Sequence, residues 1–207
     1  MRRFPLATVG ALIALVTVTA SAAALETTLE PGGNIEGTSV GEISFRGAIV
    51  TIRCPVTLNG TLSRGPISLA RGQPFGSVTD ARIGRCSGGV AENVLNLPWA
   101  LKFEVVNPAG AGKEGLESVL VILEGVSFQL SVFGEATACL YQGHTGGTTA
   151  LTNEGEDRRG GWRYRAETIA ALPSIRVPLF SGSEPCPSNG TFSGTFRVNP
   201  SQTFLVT

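Results

Sequence analysis

From Val50 to Leu58 the even positions, Val50, Ile52, Cys54, Val56 and Leu58, are apolar, while the odd ones are Thr51, Arg53, Pro55 and Thr57. Successive side chains of a strand point to opposite faces, so this alternation predicts a strand with one face in a core and one in water. Pro55 has no N–H to give a ladder, which marks an edge or a bulge. The same period sets Leu101, Phe103 and Val105 against Lys102 and Glu104. It also sets Phe192, Gly194, Phe196 and Val198 against Thr191, Ser193, Thr195 and Arg197. The longer apolar runs Val119 to Leu123 and Phe128 to Phe133 predict two central strands around Glu124-Gly125.

Shorter runs at Glu42 to Phe45, Ile67 to Ala70, Val78 to Ile83, Val94 to Leu97, Thr137 to Tyr141, Trp162 to Ala171, Ile175 to Phe180 and Thr203 to Val206 fit further strands. Gly, Pro, Asn or Ser punctuates nearly every gap. No segment after residue 25 carries a helical stripe. Ten or more short strands with frequent turns predict an all-β domain, an antiparallel β-sandwich or jelly roll, with an incomplete barrel as the alternative. Residues 107–115, rich in Gly, read as a long loop. Ile43-Ser44-Phe45 before Cys54 and Val126-Ser127-Phe128 before Cys139 echo each other as a duplication would.

The one apolar run of helix length lies at the N-terminus. Arg2 and Arg3 precede an apolar stretch from Ala7 to Val16, and small residues fill Ala20 to Ala24. That order is a secretory signal helix over residues 1–24, cleaved after Ala22 or Ala24, with an uncleaved anchor as the rival. The expected mature domain is 25–207, exported to the cell envelope or secreted, with no membrane contact after cleavage. With 207 residues, 42% hydrophobic and 15% charged, the chain is neither disordered nor a coiled coil. Removing Arg2 and Arg3 from 16 basic residues leaves 14 against 16 acidic ones, a net charge of −2. A nucleic-acid partner needs a concentrated basic face, so none is expected.

Cys54, Cys86, Cys139 and Cys186 are an even set in an exported chain, which predicts two disulfides. Zinc is the rival, but no two Cys lie two to four residues apart and His144 is the only His. Four Cys allow three pairings. The order of the halves favours Cys54 with Cys86 and Cys139 with Cys186.

Cys54-Pro55-Val56-Thr57-Leu58-Asn59-Gly60-Thr61-Leu62, Leu97-Pro98-Trp99, Ala138-Cys139-Leu140-Tyr141 and Cys186-Pro187-Ser188-Asn189-Gly190-Thr191-Phe192-Ser193-Gly194-Thr195 together resemble a set of exported, functionally uncharacterised proteins from actinobacteria. The resemblance implies an exported all-β chain. It carries no catalytic residues across.

Candidate chemistry is sparse. Gly37-Thr38-Ser39-Val40-Gly41 matches G-x-S-x-G, but that motif needs a strand before the Ser and a helix after it, and here the pattern predicts a loop and a strand. His144 sits in Gln142-Gly143-His144-Thr145-Gly146-Gly147, which reads as a Gly-rich turn. Asp is limited to Asp80 and Asp157, so no D-x-D calcium loop exists. Glu104, Glu117, Glu124 and Glu135 could serve a glycosidase only if folding brings two together. Asn59-Gly60-Thr61 and Asn189-Gly190-Thr191 read as strand-linking turns. Trp99, after Pro98, reads as a core anchor.

Trp162 and Tyr164 alternate with Arg163 and Arg165 and so share one strand face. That face is core if inward and a stacking surface for a sugar or protein partner if outward. The expected function is therefore an exported non-enzymatic binding or structural protein, without metal or cofactor. A cell-wall glycan or an envelope protein is the expected partner. A carbohydrate-binding module and a Glu-dependent hydrolase are the alternatives.

Overall fold

The computed structural model describes residues 25–48, 50–108, 116–131, 138–158 and 160–207. The expected signal helix and Glu135 lie outside the described residues, as do residues 109–115 of the expected loop; Asn107 and Pro108 instead end a strand. Every described element is a strand. In chain order they are β1 (Glu26–Glu30), β2 (Gly33–Ser39), β3 (Ile43–Arg46), β4 (Thr51–Cys54), β5 (Val56–Leu62), β6 (Pro66–Ser68), β7 (Pro74–Ile83) and β8 (Val90–Leu95). There follow β9 (Trp99–Pro108), β10 (Leu116–Ser131), β11 (Ala138–Ala150), β12 (Thr152–Glu156), β13 (Trp162–Ala171), β14 (Arg176–Ser181) and β15 (Asn189–Val206).

The all-β class holds, and the ladders show how the strands close. β2, β5, β7, β9, β10, β11, β13 and β15 pair antiparallel in that order, and β15 returns to β2. This is an eight-stranded barrel whose opposite walls face each other as the two sheets of a sandwich do. Closure removes the unpaired edges that an open sheet would expose.

The strands between wall strands build the ends. At the base, β4, β3, the start of β15, β14, the start of β11, the end of β10 and β8 pair in succession. A bridge between Arg53 and Ser87 then links β4 to the chain before β8. Inside this smaller ring Phe45 packs on Phe128, Tyr141 and Phe192 with ring centroids 5.3, 4.8 and 5.2 Å away. At the other end Phe75 stacks on Phe103 at 4.2 Å, and Leu29, Tyr164 and Phe204 are buried beside them.

Both disulfides form as the order of the halves predicts, Cys54 with Cys86 and Cys139 with Cys186. Each fastens the base. The first ties β4 to the link between β7 and β8, and the second ties β11 to the link between β14 and β15.

Four local expectations change. Pro55 separates β4 from β5, so the run from Val50 to Leu58 is two strands, one in the base and one in the barrel. Glu124-Gly125 is no turn: β10 runs through it with a bulge, Gly125 taking a φ of 81° that only glycine adopts easily. Residues 142–147 continue β11, with His144 exposed and opposite Glu124. Glycine is there for close approach, since a Cβ on Gly147 would lie 2.4 Å from Ile169 Cγ2. Asn59-Gly60-Thr61 and Asn189-Gly190-Thr191 lie within β5 and β15 for the same reason; a Cβ on Gly60 would lie 2.3 Å from the Ser77 carbonyl oxygen.

Candidate functional site

An eight-stranded barrel is just wide enough for inward side chains to fill it, so space remains only where those side chains are small. Along β2, exposed Asn34, Glu36 and Thr38 alternate with Ile35 and Gly37, which face the lumen. Gly37 meets only ordinary contacts: a Cβ there would lie 3.9 Å from Leu58 and from Phe196. Ala81 of β7 and Ala171 of β13 also line the lumen with short side chains. The result is an apolar cavity of about 170 Å³ between the two aromatic ends.

Phe128 and Phe192 of the base cluster form one limit, while Leu101 and Val121 lie toward the other. Trp99 closes a side, 5% exposed, its indole N–H donating to the Leu95 carbonyl at 3.0 Å. The core-anchor reading of Trp99 is thus half of its role. Among the described residues Thr145 is the only hydroxyl side chain of the lining, and its Oγ1 is buried without a hydrogen-bond partner. No charged side chain among the described residues lines the lumen.

A seam in the wall lies between β7 and β9. The ladder between β7 and β9 ends at Val78 and Trp99. Toward the base, Asp80 to Ile83 pair only with β5, and β8 pairs only with β10. Ala81 and Ile83 stand on one side of this unlaced stretch and Val94 on the other, and all three line the cavity.

The residues singled out in the sequence lie elsewhere. Tyr164 is 1% exposed and Trp162 is half-buried against the core, so together they present no open stacking face. The strand turns that face inward because Tyr164 and Ala166 pack in the core while Arg165 stays outside. Arg163 meets Asp157 at 3.1 Å, Glu30 at 3.5 Å and Glu154 at 4.0 Å. The hydrogen bond to Asp157 pushes its guanidinium pKa up, against some desolvation, and Glu30 adds attraction.

Ser39 Oγ donates to the Gly41 carbonyl at 2.8 Å and accepts from the Val56 N–H at 3.0 Å, which fastens β2 to β5. Its surroundings are those of a structural hydroxyl. Glu104 pairs with Arg71 and Glu124 with Lys102. Among the described residues no group of three His, Cys, Asp or Glu side chains is placed to hold a metal ion.

Comparison of the chain with protein-family models, curated proteins and solved structures finds no match. The geometry alone therefore carries the functional argument. A lumen with apolar walls and, among the described residues, a single hydroxyl side chain is suited to take up an apolar molecule.

Sequence reasoning missed this site because its residues come from strands far apart in the chain. The available signal was small residues at inward positions of alternating runs, Gly37 between Ile35 and Ser39 and Ala81 before Ile83. Only the closed ladder shows that they face one space.

Proposed function

We propose that the chain is an exported, non-enzymatic binding protein that holds one small apolar molecule in the barrel lumen. The apolar cavity between two packed aromatic ends carries this reading. A core selected for stability alone would fill such a space, because each unfilled volume forfeits dispersion contacts and costs stability. The engaged Ser39 hydroxyl and the ion-paired Glu104 and Glu124 support a role without catalysis. Two disulfides support an oxidising compartment. The seam beside Ala81, Ile83 and Val94 is the route by which the molecule enters.

Thermal unfolding with and without p-xylene tests the reading, because a ligand that binds only the folded state raises the melting temperature. The expected result is a rise that grows with p-xylene concentration and disappears in Gly37→Ile, whose side chain occupies the lumen. No rise in the unaltered protein, or an equal rise in both, contradicts it.

A further inference from the structure

We infer that the molecule held in the lumen is a single apolar ring carrying one hydroxyl, which hydrogen-bonds to Thr145 Oγ1. The inference rests on the reading of the lumen as a ligand site and narrows it to a chemical class. Size comes first. An apolar protein cavity of about 150 Å³ takes up one benzene, so about 170 Å³ accommodates one ring with one or two substituent atoms.

Polarity sets the rest. A charged group would lose its hydration with nothing in the lining to replace it, and each hydroxyl of a sugar would need its own partner. The lining offers one. The Trp99 N–H is already committed to Leu95, which leaves Thr145. Val has the shape of Thr and would fill the same place on β11 without burying an unpaired oxygen. Of the buried hydroxyls without a partner among the described residues, Thr145 is the one on the lumen wall, and its oxygen is available to a ligand's hydroxyl. Oγ1 is covered by neighbouring atoms, so a ligand reaches it through a turn of about 120° about χ1 that carries the hydroxyl into the place of the methyl and the methyl into that of the Cβ hydrogen.

The test is calorimetric titration of the oxidised chain and of Thr145→Val with two probes of one shape, p-xylene and p-cresol. The two differ by a methyl against a hydroxyl. The expected result is that Thr145→Val weakens p-cresol about tenfold while leaving p-xylene unchanged, the loss expected when a buried hydroxyl is deprived of its partner. Thr145→Ser, which keeps the hydroxyl, should retain the p-cresol affinity relative to p-xylene, and it stands in should Thr145→Val not fold. If both probes bind and their ratio is the same in all three proteins, the assignment to Thr145 is overturned while the lumen remains a ligand site. If neither probe binds the unaltered chain, the lumen reading itself fails and the inference falls with it.

Discussion

Gly190 lies beneath the ring of Phe45, so close that a Cβ on the glycine would sit 2.0 Å from Phe45 Cζ. The missing side chain lets Phe45 reach the centre of the base, where it meets Phe128, Tyr141 and Phe192. Gly190→Ala should therefore displace the ring and lower the free energy of unfolding by ~1–3 kcal/mol, the range for overpacking a core. Urea denaturation measures it. An unchanged midpoint would mean that the base is more loosely packed than the ring distances state.

Tyr141 is fully buried and donates its O–H to the Pro187 carbonyl at 3.0 Å. Burial pushes its phenol up to about 12. An unfolded tyrosine ionises near 10, so above that pH the unfolded chain loses a proton that the folded chain keeps, and stability falls as pH rises. The contribution is complete below pH 10 and declines toward 12. Between pH 9 and 11 the loss should be on the order of 1 kcal/mol, absent in Tyr141→Phe. Denaturation curves at the two pH values, compared between the proteins, check the sign and the size.

The Cys139–Cys186 bond closes a loop of 47 residues between β11 and the link before β15. Replacing both Cys by Ala should cost about 4 kcal/mol on the chain-entropy estimate. A cost below about 1 kcal/mol would show that the base holds together without its staple.

Export has its own signature. The protein recovered outside the cytoplasm should begin at Ala23 or Leu25, just before β1, as mass spectrometry of the intact chain reads directly. A chain that keeps residues 1–22 would contradict cleavage.

The class of fold was legible because half-buried strands write their faces into the sequence with period two, as Ile52 and Cys54 against Thr51 and Arg53 show. Disulfide pairing was legible from order. Strand ends were not, because glycine serves both turns and close approach: Gly143, Gly146 and Gly147 read as a turn, yet they let β11 pass under Pro178, Ile175 and Ile169 in turn. Closure was also hidden. It depends on β15 meeting β2 and β13 at once, a relation between chain regions more than 150 residues apart in one case, for example Phe196 opposite Ser39. The aromatic pair Trp162 and Tyr164 drew attention because of residue type, whereas the lumen is built from Gly37, Ala81 and Ala171, which carry no chemical signal.

The most direct measurement of the central claim is diffraction from a crystal pressurised with xenon, which occupies apolar cavities and avoids polar, hydrated ones. The account predicts xenon in the lumen, within van der Waals contact of Leu58, Val121 and Phe196, and none in the Gly37→Ile protein. Side chains filling that space, or a chain of ordered waters running through it, would contradict the assignment of the barrel as a site for an apolar ligand.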